Sequence, residues 1–148
     1  MRTLLRSHLL AVLAEAYRKD AQIEAGLTTV AEALAFVERT EGRYYEAELY
    51  RLQGELTLQE SKVESQRSQV EEEAEACFQK AIAIAQKQEA KSWELRAATS
   101  LARLWQQQGK TAEARELLAP VYNWFTEGFD TEDLKDAKAL LSALQEKA

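Results

Sequence analysis

A thiol, an imidazole and a run of carboxylates are the residue types in this chain that could do chemistry. Cys77 is the only cysteine and His8 the only histidine. A nucleophilic thiolate needs a nearby imidazole or cation to lower its pKa. The two lie far apart in sequence, so we read Cys77 as a structural thiol on the small-residue face of a helix. His8 reads as a solvent-facing helix residue, because no second His or Cys stands at metal-ligand spacing. Glu71, Glu72, Glu73 and Glu75 form an acidic run. General acid–base work needs two carboxyls in a cleft with pKa values pushed apart. This run stands instead at a helix start, where acids favour the dipole. Gly26, Gly42, Gly54, Gly109 and Gly128 are isolated and no G-K-[ST] occurs, so no phosphate loop is present. The expectation is a non-enzyme with no cofactor and no metal.

One polar constellation remains. Glu48, Arg51 and Glu55 stand at i, i+3 and i+7, so Arg51 can reach both acids on one helix face. Such a ladder either stiffens its helix by a few tenths of a kcal/mol per pair or forms the polar floor of a groove.

The elements that would position these residues are helical. The 148 residues are 46% hydrophobic and 30% charged, with one Pro and five Gly, which leaves little room for a turn-rich β fold. The net charge of −6 and the absence of a basic stripe argue against a nucleic-acid partner. A single Cys cannot form an internal disulfide, and we expect a cytoplasmic protein. No apolar run reaches membrane-span length, so no membrane partner is expected. At the N-terminus Arg6, Ser7 and His8 interrupt the apolar stretch, which fits an amphipathic helix better than a signal peptide. The chain starts inside a helical pattern, so we expect the natural protein to continue upstream of Met1.

Seven helices can be read, at about 2–19, 20–40, 43–59, 68–88, 91–108, 111–127 and 130–146. Asp20 and Thr111 are candidate N-caps, and Ser68 with Glu71 has capping-box spacing. Asp130 or Thr131 can cap the last helix. Gly109 and Gly128 suit C-caps, and Pro120 should kink the sixth helix. Trp93, Trp105, Trp124, Tyr122, Phe125 and Phe129 suggest one aromatic cluster that joins this helix to the last.

One pattern recurs three times in these helices. A small residue precedes an aromatic or β-branched one by three positions, then a turn and a second helix with small and large apolar residues follow. The copies are Ala14, Tyr17, Gly26, Val30, Ala33; then Gly54, Thr57, Ala74, Phe78, Ala81; then Ala102, Trp105, Ala114, Leu118, Val121. They cover about 2–40, 43–88 and 91–127, with a capping helix at 130–146. Tyr17 to Thr57 is 40 residues and Thr57 to Trp105 is 48. The excess in the second copy is expected in a polar insertion at about 60–70, as a loop or frayed helix. The expected fold is all-α: about three stacked helix pairs plus the cap, in a single domain over 1–148.

The pattern resembles the tetratricopeptide repeat family, most clearly in LARLWQQQGKTAEARELLAP. Ala102, Trp105, Gly109, Ala114 and Leu118 match its small, aromatic, turn and second-helix positions. Ala21 stands where the turn glycine belongs, and Thr57 also departs. The phrases LAEAY, EAELYRLQGELTL and VYNWFTEGFDTEDLKDAKALL resemble the C-terminal repeat region of large bacterial signalling proteins. Those proteins join a class III nucleotide cyclase or a DNA-binding regulator to a predicted ATPase. The resemblance implies a right-handed α-α superhelix and a non-catalytic protein-interaction or regulatory scaffold domain. It also admits a small-molecule or peptide sensor acting on catalytic modules upstream.

First helices of such arrays line a concave side. Carried over by register, this implies groove contacts at Glu15, Arg18, Glu48, Arg51, Glu55, Arg96, Arg103 and Gln107. The chaperone-tail binders of the family use a Lys and Asn clamp. Ala11 and Glu15 stand at those positions, so that activity is not carried over. Arg96 and Arg103, two turns apart on one face, could still grip an acidic peptide. The implied partner is a protein or peptide, or upstream domains of the same protein. Leu5 and Leu9 on an uncovered first helix also suggest a homo-oligomer.

Overall fold

The computed structural model describes residues 2–40, 43–60 and 64–146, and side chains for 6–37, 43–60 and 64–145. Among these residues the chain is all-helical: α1 (Arg2–Lys19), α2 (Ile23–Thr40), α3 (Glu46–Glu60), α4 (Arg67–Lys87), α5 (Lys91–Gln107), α6 (Thr111–Trp124) and α7 (Glu132–Glu146). Single 3-10 turns at Arg43–Tyr45 and Glu64–Gln66 lead into α3 and α4.

Each helix packs on the next in sequence. The odd-numbered helices also pack on one another, α1 on α3, α3 on α5 and α5 on α7. The four therefore share one wall. Small residues allow the close approach. Ala14, Ala33, Ala74, Ala81, Ala102 and Ala114 are fully buried. At Gly54 an added Cβ would lie 2.5 Å from the Phe78 ring, and at Gly26 it would lie 2.7 Å from Leu56. The largest core cluster runs from Ala74 and Phe78 on α4 through Leu101, Leu104 and Leu118 to Leu140 and Leu144 on α7. Two smaller clusters hold α1, α2 and α3 together around Val37 and Leu49, and around Val30, Leu52 and Leu56.

Three turns share one hydrogen-bond pattern. After α1, Gln22 N–H donates to the Tyr17 carbonyl and Ala21 N–H to that of Arg18. After α4 the same pair runs from Ala90 to Ala85 and from Glu89 to Gln86, and after α5 from Lys110 to Trp105 and from Gly109 to Gln106. These are Schellman caps, which need a left-handed residue. Ala21 (φ 57°), Glu89 (φ 56°) and Gly109 (φ 81°) supply it. Ala21 thus adopts the turn conformation without being glycine.

Several caps differ from expectation. Helix α2 begins at Ile23, and Asp20 accepts a hydrogen bond from the Gln22 side chain (2.6 Å). Helix α4 begins at Arg67 without a side-chain cap, so the Ser68–Glu71 box does not form. Glu71 instead accepts from Arg67 (2.9 Å) and from Gln108 on α5 (3.2 Å). Thr111 is the first residue of α6, after an N-cap at Lys110 that lacks a side-chain bond. Helix α6 ends at Trp124, so Gly128 shapes the following loop, where its carbonyl accepts from the Thr131 hydroxyl (2.7 Å).

The connection after α3 is shorter than an insertion over 60–70. Glu60 ends α3, and residues 67–70 already belong to α4. Val70 is buried there and Arg67 reaches the Leu58 carbonyl (3.4 Å), so this polar stretch has inward anchors after all. The aromatic residues also divide. Trp93 packs with Tyr44 and Tyr45, Tyr122 with Phe129, and Trp124 with Phe125. No tryptophan is fully buried, and Trp105 packs separately, against the core between α4 and α5. On α1, Leu9 (57% exposed), Val12 and Leu13 face outward; the Leu5 side chain and Gly42 lie outside the described residues.

Candidate functional site

Six charged residues of the odd helices meet in one chain of ion pairs. Arg18 holds Glu15 through both carboxylate oxygens (2.7 and 3.1 Å). Arg51 lies 3.5 Å from Glu15 across the α1–α3 interface. It also grips Glu48, one turn back on α3, through two bonds (2.5 and 3.1 Å). Arg96 on α5 donates to Glu48 (2.6 Å) and to Asp133 on α7 (2.8 Å). The sequence Arg18–Glu15–Arg51–Glu48–Arg96–Asp133 therefore crosses four helices. Its centre is well shielded, with Glu48 only 6% exposed. Such a carboxylate is tolerable because opposite charges and hydrogen bonds reach it from two sides.

The pairing shows in proton affinities. Burial alone would raise the Glu15 pKa, but the Arg18 hydrogen bond and the charges of Arg51 and Arg18 outweigh it and hold it below its ordinary value. Burial alone would lower Arg51, but the charge and hydrogen bond of Glu48, with Glu15 and Glu55, hold it above its ordinary value. At Arg96 burial is likewise outweighed, by Glu48 and Asp133. All three remain charged at neutral pH.

Above this chain lies an open polar groove of about 250 Å³. Glu15, Arg18 and Lys19 line it from α1, Arg51 and Glu55 from α3, Arg96, Thr99, Ser100 and Arg103 from α5. Helix α7 adds Glu132, Asp133 and Asp136. Six of the residues expected by register, Glu15, Arg18, Arg51, Glu55, Arg96 and Arg103, thus stand together. Glu48 lies beneath the groove, and Gln107 is exposed on α5 outside the lining.

Two expected roles change. Arg51 bonds to Glu48 on its own helix and to Glu15 on α1, while Glu55 forms no ion pair among the described residues. Arg96 and Arg103 do not act as a free pair, because Glu48 and Asp133 already occupy Arg96. The acids of α7 were not anticipated at all. Their signal was present in Glu132, Asp133 and Asp136, spaced along one side of the last helix.

The other chemistry-bearing residues have structural surroundings. Cys77 is half-buried with its Sγ 3.6 Å from Gln53 Oε1. Burial and the charge of Glu73 push its thiol up, against Lys80, which opposes nucleophilicity. His8 is exposed and its ring packs at a tilt of 39° against Tyr45 (5.2 Å between centroids). Glu71 and Glu75 of the acidic run bind Gln108 and the Trp105 indole (2.9 Å) across the α4–α5 interface. Among the described residues no helix is long and apolar enough to cross a membrane.

No protein-family model matches the chain, and no curated protein or solved structure proved similar to it.

Proposed function

We propose that this chain is a non-catalytic, tetratricopeptide-like interaction domain and regulatory scaffold. In this reading α1–α2, α3–α4 and α5–α6 are three repeat pairs of a right-handed superhelix, and α7 is the cap. The observation that carries it is the groove, to which all four odd helices contribute charged side chains. The resemblance stated above adds that the domain belongs to a cytoplasmic bacterial signalling ATPase or nucleotide cyclase. Its partner is then another protein or other domains of the same protein.

The walls favour a protein segment over a small-molecule sensor. Small-molecule pockets are mostly apolar and enclosed, at about 300–1,000 Å³. This groove is smaller, open and walled by charge. A photo-crosslinking residue at Arg103 in the groove, compared with one at Glu116 on α6, tests the reading in cells of the source organism. Cross-linked partners should form mainly from position 103. Equal yield from both faces would remove the groove as the interaction surface.

Self-association belongs to the same proposal. Leu9, Val12 and Leu13 expose one side of α1, and an apolar stripe of this spacing suits a second helix. Light scattering should show a mass that rises with concentration and is lost in Leu9→Lys/Leu13→Lys. A monomer at every concentration would dismiss it.

A further inference from the structure

The ion-pair chain consumes most of the groove's charge, and what it leaves over has an order. Arg18, Glu15, Arg51, Glu48, Arg96 and Asp133 are mutually paired. Lys19 on α1, Glu55 on α3, Arg103 on α5 and Glu132 with Asp136 on α7 line the groove without an ion pair among the described residues. Across the wall the spare charges therefore read positive, negative, positive, negative, one sign per helix. A uniformly acidic ligand would gain Lys19 and Arg103 but meet Glu55, Glu132 and Asp136. A uniformly basic one would meet the reverse conflict, and like charges brought together suppress wrong partners.

The spacing follows from the packing. Neighbouring odd helices are in direct contact, and packed helix axes lie about 8–10 Å apart. A chain in the extended polyproline II conformation advances about 3.1 Å per residue with three residues per turn, so it crosses one helix in about three residues and presents side chains three apart on one face. We infer that the groove takes an extended peptide segment with alternating acidic and basic side chains about three residues apart. An acid lies opposite Lys19, a base opposite Glu55, an acid opposite Arg103 and a base opposite Asp136 and Glu132. This inference rests on the groove being the interaction surface, as proposed above, and adds the charge order of what it binds.

Fluorescence anisotropy with synthetic labelled peptides tests it on the full chain. One peptide carries Asp, Lys, Asp and Lys at every third position among Ala, Ser and Gly. Comparators have the same composition with the charges in blocks, Asp alone or Lys alone. Amide chemical shifts locate each binding event. The alternating peptide should bind at least about tenfold tighter than the block peptide at low salt. Arg103→Glu should weaken it about tenfold, and a peptide with Lys at the facing position should recover the loss. Asp136→Lys gives an independent reversal should Arg103→Glu fold poorly in circular dichroism. Equal binding of alternating and block peptides, with shifts in the groove, overturns the charge order and leaves the groove reading standing. If no peptide shifts a groove amide, the groove reading fails and the inference falls with it.

Discussion

At Glu48 a carboxylate is almost wholly withdrawn from water, and two guanidinium groups reach it. Removing one of them should have unequal effects. Arg51 has a side chain only 12% exposed and serves Glu48 and Glu15 together. Arg51→Ala leaves both acids short of a partner and should cost about 3 kcal/mol, the low end for breaking a buried pair. Arg96 is more exposed, and Glu48 keeps Arg51 when it is gone, so Arg96→Ala should cost about 1 kcal/mol or less. Urea unfolding of the two variants checks the order. Glu15 adds a pH effect. Its folded pKa lies below the ordinary 4.5, so the unfolded chain binds its proton first on acidification. The stability it contributes is present above about pH 4.5 and is lost as pH falls through the folded value. Wild type should therefore exceed Glu15→Gln at neutral pH, with the gap closing in acid. A gap independent of pH would contradict the pairing. Much of this site was legible, because Glu48 and Arg51 stand three apart on one helix. Helix periodicity cannot tell which side chain crosses to a neighbouring helix, so Glu15 displaced Glu55 as the second partner of Arg51.

At the scale of elements, the turns and crossings were readable to different degrees. Gly109 announced its turn, whereas Ala21 and Glu89 occupy left-handed positions that only the folded context imposes. A side chain in that conformation costs about 1–2 kcal/mol. Ala21→Gly and Glu89→Gly should each stabilise the chain by about 0.5–1 kcal/mol, after the greater entropy of an unfolded glycine is deducted. Gly109→Ala, with no neighbour within 4 Å, should destabilise by about 1 kcal/mol from backbone strain alone. Thermal melts of the three variants separate these signs. The α3–α4 crossing is set by volume. A Cβ at Gly54 would overlap the Phe78 ring, which is fully buried and has no room to swing away. Gly54→Ala should cost about 1–3 kcal/mol despite the better helix former. Phe78→Leu in the same chain should return part of that loss, a coupling that a double-mutant cycle measures. The recurrence of small residues was visible in sequence. The caps were not, because Ser, Thr and Asp near a helix start also bond elsewhere, as Asp20 and Thr131 do.

Across the whole molecule, burial is uneven from one end to the other. The continuous core that spans α4 to α7 is the largest, while α1 to α3 are held by two small clusters. Helix α1 packs on one side only, since Leu9, Val12 and Leu13 face outward. In a stack where each element meets mainly its neighbours, stability is a sum of local terms rather than one cooperative whole. The end with fewer buried contacts then opens first. The part that the acids of α7 play could not be foreseen for a related reason: a single chain reveals a last amphipathic helix that caps the fold, not that its acids complete a wall begun by α1. The outward-facing Leu9, Val12 and Leu13 leave α1 the more weakly anchored of the helices in that wall. Native-state hydrogen exchange should therefore show α1 and α2 opening at lower free energy than α4, α5 and α6, whose amides exchange near the global limit. Arg51→Ala should widen the difference, because it loosens α1 from α3 while the α5–α7 core is untouched. A single exchange free energy across all seven helices would mean that the small N-terminal clusters are as cooperative as the large one, against the distribution of buried side chains.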